Sequence, residues 1–435
     1  MALSIAALCL SCLSVVICTA TNAKVRLGKL KIHLYWVVPF VCAVVLVATS
    51  QVPAGQVADQ FFGDSDMNPL KTLAIFLSMS AMSVYLDRVG FFKYLAAKVM
   101  KHAGTSQLKL FVLLYIIISL VTLVTSNSTI VLTFTPFICY FAKNSNINPV
   151  PYVFMEYIAA NTWSMFLMIG NTTNVYVATY FGVGFLDYVA VMAVPTVFAA
   201  VVSFSLLLIM FRKDLKAPLA ASELEVSIRN VPALVVGVTG LGVCTVLLIA
   251  SSYISVPMWL ICLCSASAVM LAATICFLAK KQSLHPLAKT AKRMPWHLVP
   301  FLLSMFVVVL SLMNNGITGK IAAVFDNEYS LWTFGALSAA SSNLMNNLPM
   351  SMFFVGILSE MTGLNLTEAM FATIIGSNMG SLLTPVASMS AIMWMSIIKH
   401  KGVHFRFKHF VKKGIFLTLP TLSAALGGLY LTVAL

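Results

Sequence analysis

Residues 109–143 read KLFVLLYIIISLVTLVTSNSTIVLTFTPFICYFAK, and the fold turns on how this stretch is read. A lysine stands at each end. Between them an apolar run from Leu110 to Thr125 meets a polar tetrad, Ser126-Asn127-Ser128-Thr129, and a second run follows from Ile130 to Ala142. The second run makes only ~20 Å of helix at 1.5 Å per residue, too short for a hydrocarbon core of ~30 Å. Lys109 and Lys143 both belong on the cytoplasmic side, where lysine and arginine collect. The stretch is therefore predicted to enter and leave the membrane from one face, as a re-entrant hairpin with its polar tip at membrane depth.

The rest of the chain supports this setting. Of 435 residues, 60% are hydrophobic and 9% charged, against roughly 25% charged in a soluble globular chain, and the mean hydropathy is +0.95. The apolar runs are unbroken, which excludes the alternating pattern of an outer-membrane barrel and leaves an all-α integral membrane protein. Long spans are predicted near 2–20, 34–50, 70–86, 188–211, 232–252, 256–279, 298–314 and 414–434. With the two broken regions between them, this makes about ten transmembrane helices plus two re-entrant hairpins. The net charge of +14 would suggest nucleic acid for a soluble chain. Here the basic residues sit in short clusters between apolar runs, so the lipid bilayer is the partner and nucleic acid is set aside. One arrangement puts 25 of the 27 lysines and arginines in the cytoplasm, leaves Lys71 and Lys320 outside, and places both termini outside a multi-pass cell membrane protein. Residues 88–104 alternate apolar and basic positions at helical spacing and are expected to lie flat on the cytoplasmic surface.

A second hairpin is expected from the outer side, where Leu331–Leu344 and Leu348–Leu358 flank Asn346-Asn347. Each hairpin precedes a polar break in an apolar helix. In the first half Pro151–Ile169 runs into Gly170-Asn171-Thr172-Thr173-Asn174 and resumes at Val175. In the second, Glu368–Ile375 runs into Gly376-Ser377-Asn378-Met379-Gly380-Ser381 and resumes at Leu382. The expected organisation is an inverted repeat. Its first half, 1–231, holds hairpin 107–142 and broken helix 151–185, and its second, 232–435, holds hairpin 331–358 and broken helix 366–398. Such repeats characterise secondary transporters, which bind their substrate where hairpin tips and broken helices meet.

Five stretches in this order resemble the ion transporter superfamily: SNSTIVLTFTP at 126–136, E-x-I-A-x-N ending in IGNTTN at 156–174, YFGVGFLDYVAVMAVP at 180–195, NNLP at 346–349, and GSNMGSLLTPVASMSAIMW at 376–394. Within the superfamily the chain is most similar to the arsenite permeases (the arsenical pump membrane protein family), with weaker likeness to the dicarboxylate/sulfate symporter and sodium/proton antiporter branches. The resemblance implies a permease fold, a small oxyanion substrate and, as is common in such families, a homodimer. It also marks departures. Aspartates usual in arsenite permeases are replaced here by Ser128, Asn161 and Asn378, and the aspartate of the sodium/proton branch by Asn171.

The expected binding residues are Ser126, Asn127, Ser128, Thr129, Gly170, Asn171, Thr172, Asn174, Asn346, Asn347, Gly376, Ser377 and Asn378. Their amides and hydroxyls must be satisfied in a medium without water. Any one of them alone reads as helix glue; paired clusters flanked by short hairpin arms read as a site. Glu156 and Glu368 are the candidates for coupling. The plainer reading of both is a carboxylate at a helix N-terminus near the interface, stabilised by the helix dipole. No metal site and no cofactor are expected, beyond Na⁺ as a coupling ion held by carbonyls of the breaks. All seven histidines fall in cytoplasmic segments, and the nine cysteines fall in apolar runs, where they read as small hydrophobes. No H-E-x-x-H, G-x-S-x-G or G-x-x-x-x-G-K-[ST] occurs, so an enzyme is not expected. The reading is a secondary active transporter for a small anion or oxyanion, with cation coupling. The alternative is an arsenite/antimonite efflux permease working by proton antiport or with a separate ATPase.

Overall fold

The computed structural model describes all residues except 21–23, 28, 29, 64–67, 219–227, 229, 255 and 435. Lys29 and Arg229, two of the 25 basic residues assigned above to the cytoplasm, lie outside the described residues. The first ten helices are α1 (Ala2–Ala20), α2 (Val37–Ala48), α3 (Ala54–Phe62), α4 (Pro69–Arg88), α5 (Phe91–Ala103), α6 (Gln107–Val124), α7 (Asn127–Asn144), α8 (Val150–Trp163), α9 (Thr172–Tyr180) and α10 (Phe185–Phe211). Ten more follow: α11 (Val231–Ile254), α12 (Met258–Ala279), α13 (His285–Arg293), α14 (Leu298–Asn314), α15 (Ile317–Phe325), α16 (Ser330–Met345), α17 (Asn347–Leu358), α18 (Gly363–Gly380), α19 (Met389–His400) and α20 (Phe407–Ala434). A two-stranded antiparallel ribbon, β1 (Lys24–Leu27) with β2 (Leu30–His33), joins α1 to α2. The protein is an all-α membrane protein in every other described part.

Among the described residues, seven helical stretches are long and apolar enough to cross a bilayer: α4, α6, α10, most of α11, α12, the run 285–314 and α20. This is fewer than the ten expected. Helices next to the breaks, such as α8, α9, α17 and α19, are too short for that test because small polar residues interrupt them. Conversely α6, expected as a hairpin arm, is itself long enough to cross.

The surface helix expected at 88–104 is α5. Gly90 (φ +91°) and Gly104 (φ +62°) bound it in the left-handed region, which only glycine enters without steric cost, so the chain turns sharply away from α4 and into α6. Gly316 (φ +66°) does the same between α14 and α15. The short amphipathic helices α3, α13 and α15 were not expected, because each falls below the length that a search for apolar runs detects.

Packing follows a pattern of exchanged partners. Helix α4 packs on α12 while α14 packs on α2; α7 packs on α19 while α17 packs on α9; α10 and α20 lie along each other. An aromatic cluster ties α8, α19 and α20 together, with Tyr157 and Phe410 ring centroids 5.5 Å apart and Trp394 5.8 Å from Phe410. The Trp394 indole N–H donates to the Val153 carbonyl at 3.0 Å, so the buried ring keeps its polar atom satisfied.

Both breaks lie elsewhere than the glycines suggested. In the first half the helix ends at Trp163, the unwound chain covers 164–171, and Thr172-Thr173-Asn174 already form the first turn of α9 with Asn171 as its cap. In the second half α18 stays helical through Gly376, Ser377, Asn378 and Gly380, and the unwound chain is 381–388. Gly376 and Gly380 serve packing. A Cβ on Gly376 would fall within 2.5 Å of the Gly335 carbonyl oxygen, and one on Gly380 within 2.6 Å of the Ala339 carbonyl oxygen, so α16 and α18 can approach closely only without these side chains. Pro385 explains the later break, since it has no N–H and disfavours helical backbone at Thr384.

Candidate functional site

Four helices begin at the two breaks and the two hairpin tips, and each carries a side-chain cap. Ser126 Oγ accepts from Thr129 N–H at 3.3 Å, Asn171 Oδ1 from Thr173 N–H at 3.4 Å, Asn346 Oδ1 from Leu348 N–H at 3.5 Å, and Ser388 Oγ from Ala391 N–H at 3.1 Å. Serine and asparagine are the residue types that cap helix N-termini, and this explains why the tips and breaks carry them. Each N-terminus brings unpaired N–H groups and a partial positive charge toward the centre of the protein.

Asn378 is the hub. Its Oδ1 accepts from Asn171 Nδ2 at 2.8 Å and from Ser164 Oγ at 3.2 Å, and its Nδ2 donates to Asn174 Oδ1 and to the Ile374 carbonyl, both at 2.8 Å. The side chain is fully buried and makes four hydrogen bonds. Asn161 is its counterpart in the first half. Asn161 Oδ1 accepts from Ser381 Oγ at 3.1 Å and from Asn127 Nδ2 at 3.1 Å, and its Nδ2 donates to the Tyr157 carbonyl at 2.8 Å. The two connections are reciprocal: Ser164 of the first break bonds Asn378, and Ser381 of the second bonds Asn161. One interval separates Asn161 from Asn378, Ser164 from Ser381 and Asn171 from Ser388.

Of the expected residues, Asn127, Asn171, Asn174 and Asn378 thus join one network. Ser128 Oγ donates to Asn127 Oδ1 at 3.4 Å, and Ser126 and Thr129 share a hydroxyl contact of 3.0 Å at the tip. Thr172 and Ser126 border a small cavity against Phe76, Met79 and Ser80 of α4. Gly170 lets the first break fold onto itself, since a Cβ there would lie 2.2 Å from the Ser164 carbonyl oxygen. Ser377 is buried with its hydroxyl unpartnered among the described residues. Asn346 and Asn347 stand apart from the Asn378 hub. Asn346, in the left-handed region at φ +73°, donates from Nδ2 to the Val386 carbonyl at 3.0 Å, and Asn347 N–H donates to the Ala387 carbonyl at 2.8 Å, so both hold the second break.

The carboxylates differ from the expectation that treated them alike. Glu368 lies in the second turn of α18 and is half-buried, as a helix-end group would be. Glu156 is fully buried in α8. Its Oε2 accepts from Thr135 Oγ1 at 2.9 Å, and its Oε1 has no partner among the described residues. The helix-end reading therefore fails for Glu156, which sits five residues, roughly 8 Å along the helix, from Asn161. Sequence reasoning did not single out Ser164, Ser381, Ser388 or Thr135. The repeated Asn-x-x-Ser at 161–164 and 378–381 was the signal that could have found the first two.

Crossed breaks, capped half-helices and a buried network of neutral amides and hydroxyls within a helical membrane protein define a membrane transporter. The chain belongs to the arsenical pump membrane protein family, which it matches over residues 67–433. It is 27% identical over 379 residues to an arsenical pump membrane protein of Escherichia coli, covering 83% of this chain and 86% of that one. It is 26% identical over 379 residues to the arsenical pump membrane protein of Yersinia enterocolitica, with the same shares covered. It is also 24% identical over 392 residues to a 46 kDa membrane protein of Mycobacterium leprae, covering 86% and 88%.

Proposed function

We propose that the protein is a secondary active transporter that carries a small neutral oxyacid or oxyanion, of the trivalent arsenic or antimony kind, out across the cytoplasmic membrane in exchange for protons. The observation that supports this reading is the set of four capped helix N-termini around uncharged amides and hydroxyls, with Glu156 buried beside them. Helix N-termini favour an anion or an oxygen-rich solute over a bare cation. Glu156 is the coupling group: an ionised carboxylate with an unpartnered oxygen in such surroundings is costly, so the carboxyl takes up and releases its proton as the cavity opens to either side. In this reading the halves 1–231 and 232–435 are inverted copies, both termini are outside, and Asn127, Asn161, Ser164, Asn171, Asn174, Asn378 and Ser381 exchange their mutual bonds for bonds to the substrate. The names of the relatives supply the arsenical substrate; the geometry supplies its chemical class.

Flux in proteoliposomes tests this. Arsenite, antimonite, sulfate, and di- and tricarboxylates are offered with a pH gradient and, separately, with a Na⁺ gradient. Arsenite or antimonite movement driven by the pH gradient alone is the expected result. Movement that requires Na⁺ and ignores pH would transfer the coupling role to a cation held at the breaks, and selective sulfate or carboxylate flux would remove the arsenical substrate.

A further inference from the structure

Helix α7 is held on two sides by hydroxyl–carboxylate bonds from threonines two residues apart. Thr135 donates to Glu156 of α8, within the site. Thr133 donates to Asp87 Oδ1 at 2.9 Å, and Asp87 belongs to α4, outside it. The other oxygen of Asp87 receives Arg293 Nη1 of α13 at 2.6 Å. One carboxylate, only 10% exposed, thus ties the hairpin arm α7 to the cytoplasmic end of α4 and to the short helix α13, which belongs to the other half. Thr133 is six residues from Asn127, roughly 9 Å along the arm from the hairpin tip.

The opposite end of the molecule has a weaker tether: Thr318 Oγ1 of α15 donates to Glu360 Oε1, just past the end of α17, at 3.4 Å. Arg88 stands two residues before Gly90, and Asn314 stands two residues before Gly316, so the ends of α4 and α14 correspond. At the α14 end, Asn314 exchanges neutral, exposed hydrogen bonds of 2.8 and 3.1 Å with Gln56 of α3, the counterpart of α13. Met313 stands where Asp87 would be. Among the described residues, the approach of α17 to α14 there is apolar, with Gly356 against Val309 and Met313. Asp87 is held at 2.9 Å and 2.6 Å and is paired with a guanidinium, against the single 3.4 Å contact at Glu360, and charge-assisted bonds of good length are the strong ones, so the two ends hold their arms unequally.

We propose that Asp87 is a positioning residue of the transport cycle: through Thr133 it latches α7 to the cytoplasmic ends of α4 and α13, and that bond breaks each time the arm moves. The proposal rests on the transporter reading only in taking α7 as a moving part. The latch biases the protein toward the conformation described here, and the outer end opposes it only with the longer Thr318–Glu360 contact of 3.4 Å.

The test is hydrogen–deuterium exchange of the purified full chain, which needs no substrate, together with transport kinetics for arsenite. Thr133→Val keeps the shape and the ion pair but cuts the tether; Asp87→Asn weakens both. Loss of a charge-assisted bond is expected to raise exchange in peptides covering 127–144 about tenfold in both variants. Peptides covering 347–358 should be unchanged, and maximal flux should shift severalfold with KM within about twofold. The double variant Asp87→Arg with Arg293→Asp restores an ion pair but leaves Thr133 without its carboxylate acceptor, so exchange in 127–144 should stay raised as in Thr133→Val; a return to the native value would shift the tether from Thr133 to the ion pair and overturn the proposal. Unchanged exchange in α7, or an equal rise in both hairpins with a lowered melting temperature, overturns the proposal. If the native protein moves no arsenite, the transporter reading fails instead, while the exchange result still decides the latch.

Discussion

Replacing Asn378 by alanine removes four buried hydrogen bonds at once. Three of the lost partners are side chains, Asn171 Nδ2, Ser164 Oγ and Asn174 Oδ1, and the fourth is the Ile374 carbonyl, which keeps its helical bond. Asn174 Oδ1 retains only a long contact from Thr173 at 3.5 Å, and Ser164 Oγ retains the Asn161 carbonyl at 3.0 Å. Asn171 Nδ2 is the group left with least. At ~1–3 kcal/mol for a buried polar group left unpaired, one orphaned group and two weakened ones amount to about 2–5 kcal/mol if nothing rearranges. That is large for any single substitution. Single replacement of Ser164 or Ser381 should cost only ~1 kcal/mol each, because the acceptor on the far side keeps a second donor, Asn171 or Asn127 respectively. The assay is thermal unfolding of the detergent-purified protein followed by arsenite flux. The expected order is a small and nearly equal loss for Ser164→Ala and Ser381→Ala, and a large loss for Asn378→Ala with flux abolished. An Asn378→Ala protein that melts and transports like the native one would refute the hub. Serine variants differing from each other by as much as either differs from the native protein would refute the reciprocal arrangement.

Glu156→Gln should abolish arsenite flux driven by a pH gradient while leaving exchange of labelled against unlabelled arsenite, a separation that coupled proteoliposome assays read directly. Gly376→Val should prevent the close approach of α18 to α16, lowering the melting temperature and the yield of folded protein, whereas the same change at Gly427, which has open space around it, should be mild. In a chain stripped of its native cysteines, Lys281→Cys should resist an impermeant thiol reagent added outside intact cells; labelling there would reverse the topology and with it the side on which Asp87 acts.

The polar turns at 126 and 346 were legible in the sequence because a polar cluster between two apolar runs is a signal of composition, which survives any packing; that α6 is long enough to cross was not, since its sequence reads as the arm of a re-entrant hairpin. The aspect of the breaks that could not be read is also physical. Gly376 and Gly380 look like helix breakers by propensity, yet in a tightly packed helix pair the missing Cβ is the reason the helix persists, and only the neighbour α16 distinguishes the two roles. Asn161 attracted notice only as a departure from the usual aspartate, because nothing local says that its partner is Ser381, over two hundred residues away. Asn346 and Asn347 were grouped with Asn378 on chemical likeness. Their actual partners are the backbone carbonyls of 386 and 387, which no side-chain pattern announces.

The neutral character of the hub follows from its geometry. An amide offers a donor and an acceptor together, so two asparagines placed alike beside the two breaks can each accept from the other break's serine through Oδ1 while anchoring to their own helix through Nδ2, as Asn161 and Asn378 do. An aspartate in either position would still accept from the serine but would set an oxygen against the Tyr157 or Ile374 carbonyl, where the amide now donates. The lock therefore closes without a counter-ion. A lock made of neutral bonds opens at moderate cost and carries no charge through the membrane; Glu156 is a fully buried carboxyl on α8 beside it. It is also tied by Thr135 to the same arm that Asp87 holds by Thr133. Movement of α7 must then stretch both bonds together. If Glu156 is the coupling group proposed above, its protonation and the release at Asp87 are linked through three consecutive residues, Thr133-Phe134-Thr135, and a Thr135→Val variant should uncouple flux from the pH gradient while leaving the Asp87 latch closed.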